Sequence, residues 1–345
     1  MPLGFAPYAA CAGRPHVVAD GAPQAGTTLT LSHWPGTPTP PALRADTSAE
    51  IALRFLDLSE AERAALLLRA DAATNNHFDE DGALALFALL NPAEALARRR
   101  LLVEAAEAGD FLVWRDPRAL KLALAIAACG RLERGAAPGS SYADEVAARY
   151  ETVLPRIGAW LEDPDAADAR ALWGPALEEV RRGQAAFEAG RARIAERPEL
   201  DLAIVERQEA DPLPRLAVYP RTACTRVAWI AAGALEAVSL RYETWVRLVS
   251  RRPRPRVDLA PLVPVLDRLE IDVTPGGGVA ARWVAEPVEA ITPDLYPAGP
   301  DGRRRPSRIP PARVLEALAL RLATGDRQGG DFHPDRDARG GVSVY

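Results

Sequence analysis

Lysine is almost missing from this 345-residue chain: Lys121 is the only one, and nearly all positive charge is arginine. No glycine-rich loop ending in Gly-Lys-Ser/Thr exists, which excludes a P-loop nucleotidase. Cysteine is equally scarce. Cys11, Cys129 and Cys224 stand far apart, so no pair is spaced for a zinc knuckle or a redox motif, and a reducing cytoplasm is the expected compartment. No run approaches the roughly 20 apolar residues of a membrane span, so no membrane partner is expected. The opening Met1-Pro-Leu-Gly-Phe-Ala-Pro-Tyr-Ala-Ala-Cys11 lacks the basic start of a lipoprotein leader and is broken by Pro7. A net charge of -5 provides no basic footprint, so duplex nucleic acid is not an expected partner either. With 48% hydrophobic and 26% charged residues the chain is ordinary globular material, long enough for two domains.

One stretch reads directly as chemistry. Thr74-Asn-Asn-His-Phe-Asp-Glu-Asp-Gly82 sets His77, Asp79 and Asp81 at alternate positions ahead of the apolar run Ala83-Leu-Ala-Leu-Phe-Ala-Leu-Leu90. Alternate residues of an extended chain point the same way, so one imidazole and two carboxylates are expected to converge at a strand end. That nitrogen and oxygen set suits Mn2+ or Mg2+. An EF-hand does not fit, because Ala83, Leu84 and Leu86 occupy the places of its later ligands. The competing account is a strand-to-helix loop in which Asp79 or Asp81 only caps the following helix.

His77-x-Asp79-x-Asp81-Gly82 followed by an apolar helix resembles the first motif of the DHH phosphoesterase superfamily. These are two-domain hydrolases that bind Mn2+ or Mg2+ and cut phosphoester or phosphoanhydride bonds. The resemblance implies that His77 and Asp79 hold one ion, that Asp81 helps to hold another, and that the three form the catalytic centre. The Asp-His-His triplet that names the family is absent. Val17-Val-Ala-Asp20, then Pro23, His33, Trp34 and Asp46-Thr-Ser-Ala-Glu-Ile51, is similar to the segment around that triplet but precedes the first motif. A rearranged motif order brings Asp20 and His33 into the same metal site; the alternative for His33 is a buried histidine bonded to backbone. Asp110, at the end of a helix, offers a carboxylate to bridge two metals or else a solvated loop aspartate.

The surrounding pattern predicts an α/β fold. His16–Asp20 and Thr27–His33 read as short strands, Thr47-Ser-Ala-Glu50 as a capping box opening a helix to about Leu58, residues 59–69 as a polar helix, and residues 71–76 as the strand leading into the histidine motif. Asn91-Pro92-Ala-Glu94 caps a further helix that Gly109 is expected to stop. Alternating strands and helices favour a mostly parallel sheet, whose ligands bind beyond the carboxyl ends of the strands. Asp20, His33 and the histidine motif each follow such an end.

The expected division is a metal-binding α/β domain over 1–135, a helical connector over 136–200, a smaller α/β substrate-binding domain over 201–296, and a helix with a flexible tail over 297–345. Strands are expected at Leu202–Val205, Leu216–Tyr219, Val227–Ile230 and Val238–Val246, and a helix at Pro311–Ala323. Asp331, His333, Asp335 and Asp337 in the tail can chelate metal, although a disordered terminus is the simpler account. The second domain is similar to the domain that accompanies the DHH core, with Trp245–Arg252, Val257–Leu266 and Gly276-Gly277-Gly278 in that domain's order of strand, helix and glycines. The resemblance therefore implies substrate-binding roles for Gly276, Gly277 and Gly278, against the plainer account of a hairpin turn. Arg247, Arg251, Arg252, Arg254 and Arg256 crowd together in a negatively charged chain, and guanidinium forks suit phosphate. A solvated loop is the competing account.

The function expected is a metal-dependent hydrolase of a nucleotide-type or other small phosphorylated substrate, using one or two Mn2+ or Mg2+ ions to activate water. Two alternatives remain: a non-catalytic descendant that binds a nucleotide or a partner, and a metal-dependent hydrolase of some other substrate. The sequence does not specify an oligomeric state.

Overall fold

The computed structural model describes residues 3–132, 141–209, 211–274 and 281–332. The protein is α/β, and its contacts divide it into two units: Met1–Glu179 with Arg247–Arg251, and Val180–Val246 with Arg252–Tyr345.

In the first unit β1 (Gly4–Phe5), β2 (His16–Ala19), β3 (Thr27–Leu31) and β4 (Ala72–Thr74) pair in the order β1-β4-β2-β3, every neighbour parallel. All four residues of β2 are buried, as befits the centre of a parallel sheet covered on both faces. The helices are α1 (Ser48–Leu56), α2 (Glu60–Leu67), α3 (Glu80–Leu90), α4 (Pro92–Ala97), α5 (Arg99–Asp110), α6 (Pro117–Leu132), α7 (Tyr142–Glu162) and α8 (Ala167–Glu188), the last crossing the unit boundary. The run behind the histidine motif is a core helix: Asp81 through Leu89 are buried, with α1 and α5 packed alongside.

Two local expectations change. Thr47 does accept the Glu50 amide as an N-cap, but the Glu50 side chain reaches Arg54 rather than returning to the cap. Gly109 does not stop a helix. It lies within α5, where a Cβ would come within 2.5 Å of the Glu80 Cβ, so glycine is needed there for close approach of α5 to the start of α3.

The second unit is built on β5 (Ala192–Arg197), β6 (Leu202–Arg207), β7 (Arg226–Ala231), β8 (Ala234–Leu240), β9 (Arg282–Ala285) and β10 (Asp294–Ala298), in the order β5-β6-β7-β8-β10-β9. Only β6 and β7 run parallel. With these are α9 (Arg215–Val218), α10 (Val263–Val273) and α11 (Pro311–Arg327), and a core that joins Ile204, Val238, Leu266, Leu295 and Leu318.

Here the sequence pattern misleads in three places. Ala192–Arg197, within the stretch that reads as helical, is a strand paired with β6. Leu216–Tyr219 is helical, not extended: Pro214 caps α9 with a φ of -58°, and Pro220 follows in a 3-10 turn. The strand expected over Val238–Val246 stops at Leu240, because Arg241 turns inward to Glu243 and a 3-10 turn covers Tyr242–Thr244. Trp245–Arg252 accordingly contains no strand. Gly276, Gly277 and Gly278, with His333, Asp335 and Asp337, lie outside the described residues. Asp331 is tied down, 2.9 Å from Arg321 and accepting the Asp258 amide.

Candidate metal centre

Three neighbouring strands deliver the centre. Asp20 follows β2, His33 comes two residues after β3, and Asn75-Asn76-His77 follows β4. Beyond the carboxyl ends of these parallel strands their side chains meet, at the place where such sheets bind ligands. Asp20 holds a left-handed φ of 53°, a conformation that costs a non-glycine residue about 1 kcal/mol or more and is concentrated at functional sites.

Helix ends supply the rest. Asp79 is extended and caps α3, its Oδ1 accepting the Gly82 amide at 2.8 Å; its Oδ2 lies 2.7 Å from His77 Nε2. The capping account and the functional account therefore both apply to Asp79, one to each oxygen. Asp81 is not on the extended segment, as alternation predicts, but in the first turn of α3. It is fixed by the start of α1: the Ser48 amide donates to Oδ2 at 2.6 Å and the Ala49 amide to Oδ1 at 2.8 Å. A helix N-terminus favours such an anion. The Ser48 hydroxyl donates to Asp20 Oδ1 at 2.7 Å. Asp110, at the end of α5, turns into the cluster with Oδ2 3.3 Å from His33 Nε2, which sets aside its account as a solvated loop residue.

Ligand atoms of Asp20, His77 and Asp79 lie within 4.8 Å of one another, and so do those of Asp20, His33 and Asp81. Asp20 is common to both sets. His33 is also the buried histidine bonded to backbone that the sequence allows: its Nδ1 lies 2.5 Å from the Asp46 carbonyl. A carbonyl can only accept, so Nδ1 is the protonated nitrogen. In a neutral ring Nε2 is then the acceptor, 3.6 Å from Asp20, 3.3 Å from Asp110 and 3.9 Å from Asp81. That is the tautomer a metal-ligating histidine needs, held by an outer hydrogen bond. His77 is braced by the Trp34 ring, 4.8 Å away between centroids, and its carbonyl accepts from the Tyr150 hydroxyl, which in turn accepts from Asn75. Gly82 makes room for this brace, since a Cβ there would come within 2.4 Å of Asn75 Nδ2 and 2.6 Å of the Tyr150 hydroxyl.

Burial gathers like charges here at a cost. The side chains of Asp20, Asp81 and His33 are at most 1% exposed and that of Asp110 6%, while His77 and Asp79 reach solvent at 18% and 29%. Burial, reinforced by the Asp79 charge, lifts Asp20 and Asp81 to about 7. Burial and the Asp81 charge raise Asp110 well above the usual carboxylate range. For Asp79 burial is outweighed by the His77 charge and hydrogen bond, which hold it down at about 2; for His77 burial is likewise outweighed, by Asp79 and Asp20, and its basicity rises. Asp110 Oδ2 and His77 Nδ1 are buried without a hydrogen-bond partner, and Asp20 Oδ2 has only the His77 Nε2 contact, at 3.3 Å. Buried oxygens of one sign with unused lone pairs match the donor set of a divalent cation, which removes the repulsion and the missing bonds together.

Of the expected site residues, His77, Asp79, Asp81, Asp20, His33 and Asp110 come together. The arginines separate. Arg251 belongs to the strap Arg247–Arg251 of the first unit, where the Arg247 amide donates to the His33 carbonyl at 3.0 Å and the Val249 and Ser250 amides donate to Asp46 at 2.6 and 2.9 Å. Arg252 is exposed, and Arg254, also exposed, pairs with Asp326 at 3.1 Å. Arg256 corrects the expectation of a ligand groove: it is 1% exposed, with its guanidinium bonded to Thr244 Oγ1 and to the carbonyls of Val288, Ala290 and Ile291. With four of its five N–H donors taken and its side chain buried, it cannot line an open groove. Sequence reasoning passed over Ser48, Trp34, Asn75 and Tyr150. Only Ser48 carried a signal, since the capping pattern announces the helix start that Asp81 uses.

No curated protein and no solved structure matches the chain. A family model does match, across residues 1–328 and hence across both units, and it is described as a family of unknown function, DUF6687; the chain belongs to that family.

Proposed function

We propose that the first unit is a metal-dependent hydrolase of phosphoester or phosphoanhydride bonds in small phosphorylated molecules. The observation that carries this is the convergence of two ligand triads on Asp20, with buried oxygens left unbonded. His77, Asp79 and Asp20 would hold one Mn2+ or Mg2+; His33, Asp81 and Asp20, with Asp110 beside His33, would hold a second. An ion so placed supplies Lewis acidity and an ionised water at neutral pH. The chain's own part is positional. The α1 amides hold Asp81, the Asp46 carbonyl fixes the His33 tautomer, and Trp34 and Tyr150 set the His77 ring, so that lone pairs meet without reorganisation.

Support for the DHH-like reading comes from Asp20 and His33 reaching the same point as the His77-x-Asp79-x-Asp81 motif, which a rearranged motif order requires. A phosphate-directed activity is favoured over another hydrolysis by the strap carrying Arg247 and Arg251, whose backbone bonds directly to His33 and Asp46. We place the protein in the cytoplasm, in keeping with three buried cysteines outside any disulfide; among the described residues no helix is long and apolar enough to cross a membrane.

The test is elemental analysis of the purified protein followed by titration of the stripped protein with Mn2+. Saturable binding of one or two ions, lost in Asp20→Asn, and metal-dependent release of phosphate from pyrophosphate or an aryl phosphate are expected. Unchanged Mn2+ affinity in Asp20→Asn would remove the metal assignment.

A further inference from the structure

The second unit contains a pocket of about 400 Å³ whose wall includes Arg207, Arg215, Arg304, Arg305, Trp229 and Leu213. Among the described lining residues Glu236 is the sole acid, and it is committed to Arg207 at 2.7 Å. Arg304 is held at the rim by Asp294 at 2.6 Å and lies over the Tyr296 ring. Arg215 lies over the Trp229 ring, and its polar contacts are long: 3.4 Å to Ser239 Oγ and 3.7 Å to Asp294. Arg305 pairs at 3.0 Å with Asp301, both about half exposed, a surface contact of little strength that an incoming anion can replace.

Four guanidinium groups line one concavity in a chain of net charge -5, and of their carboxylate partners Glu236 alone is among the described lining residues, so the wall itself carries an excess of positive charge. The volume falls in the range of roughly 300–1,000 Å³ typical of small-molecule sites. Arginine forks suit phosphate oxygens, while Leu213, Pro212, Pro306 and Trp229 give an apolar wall for a flat body.

We propose that this pocket binds a small organic phosphate of mononucleotide size, its phosphate held by Arg215 and Arg305 and its ring against the Leu213 and Trp229 side. No residue of the metal centre lines the pocket, so the proposal does not depend on the metal assignment.

Calorimetric titration of AMP, and separately of inorganic phosphate, into the full-length protein carrying Asp79→Asn in EDTA tests it with the metal centre disabled. AMP is expected to bind saturably and at least tenfold more tightly than phosphate. Arg215→Ala and Arg305→Ala should each weaken AMP tenfold or more, while Arg268→Ala, an exposed residue of α10 away from the pocket, should leave affinity within twofold. Arg305 is on the surface, so its loss spares the fold, as circular dichroism would verify. Absence of AMP binding at millimolar concentration, equal affinity for AMP and phosphate, unchanged affinity in both pocket variants, or a loss shared by Arg268→Ala would each overturn the proposal.

Discussion

Both units bury charge, and they do so in opposite ways. In the second unit Arg226, Arg241, Glu270 and Arg256 each meet complementary groups. Arg226, 2% exposed at its side chain, makes a two-pronged contact with Asp326 at 2.6 and 2.9 Å and donates to the carbonyls of Leu200 and Pro255. Arg241 faces Glu243, Glu270 accepts from Ser307 and Arg308, and Arg256 is bonded to three carbonyls and a hydroxyl. In the first unit Asp20, Asp81 and Asp110 crowd together with Asp79 alongside, and oxygens are left without bonds. Buried charge that is matched holds a fold together. Buried charge of one sign, unmatched, destabilises the fold unless something binds, and so marks a site.

The largest effect should come from breaking a matched pair. Arg226→Ala removes the two-pronged, buried contact from Asp326, leaves it only the exposed Arg254 and should cost about 3–5 kcal/mol, the scale for removing one side of a buried ion pair. Urea unfolding followed by circular dichroism measures this. In contrast Asp110→Asn in the metal-free protein should leave stability unchanged or raise it by up to about 1 kcal/mol, since burial already disfavours the charged carboxyl and the amide is its neutral isostere. A loss from Asp110→Asn comparable to that from Arg226→Ala would erase the distinction between the two regions.

Metal should reverse the cost of the first unit. At a hundredfold excess over Kd, binding adds about 2.7 kcal/mol, or roughly 5–10 °C in the melting of a domain of this size. EDTA should remove the gain, and a Tm indifferent to Mn2+ would break the comparison from the other side.

The pH dependence sharpens it. Asp20 and Asp81, lifted to about 7, keep protons in the fold that the unfolded chain releases near pH 4. The metal-free protein should therefore lose stability as pH rises from about 4 to about 7. His77, raised, continues the same trend above its unfolded value, whereas Asp79, lowered to about 2, acts oppositely and only below pH 4. Saturating Mn2+ requires deprotonated ligands, so Mn2+ affinity should rise with pH across that interval. Thermal melts at pH 5, 6, 7 and 8, in EDTA and in Mn2+, should diverge as pH increases. Parallel curves would mean that no proton leaves when the ion arrives.

How much of this was legible in the sequence follows from range. His77, Asp79 and Asp81 share one short segment, and Asp20 and His33 each follow a strand end, so local pattern and the parallel-sheet rule suffice to bring them together. The amides of Ser48 and Ala49 lie 33 and 32 positions from Asp81, and the Tyr150 hydroxyl 73 from the His77 carbonyl; the capping pattern announces the start of α1 but not that Asp81 meets it, and nothing announces Tyr150. Leu216–Tyr219 looks extended by composition, yet prolines at either end fix its backbone in a helical turn. Clustering of arginines showed that charge was concentrated but not where each guanidinium points: Arg256 turns inward to carbonyls while Arg252, four residues earlier, faces solvent.

The smallest expected effect isolates burial from chemistry, because one carboxylate serves two arginines. Arg254 donates to Asp326 Oδ2 at 3.1 Å, the oxygen that Arg226 also uses at 2.9 Å, but the Arg254 side chain is 44% exposed. Water and salt screen the outer contact, and the arginine loses rotamer freedom to keep it, so such pairs contribute about 0–1 kcal/mol. Asp326 remains paired with Arg226 when Arg254 is gone and incurs no desolvation penalty. Arg254→Ala should therefore shift urea unfolding by less than about 1 kcal/mol, and the shift should shrink further in 0.5 M salt, while that of Arg226→Ala persists. If Arg254→Ala proves as damaging as Arg226→Ala, then Asp326 depends on both arginines, and burial alone does not separate a structural charge from an idle one in this protein.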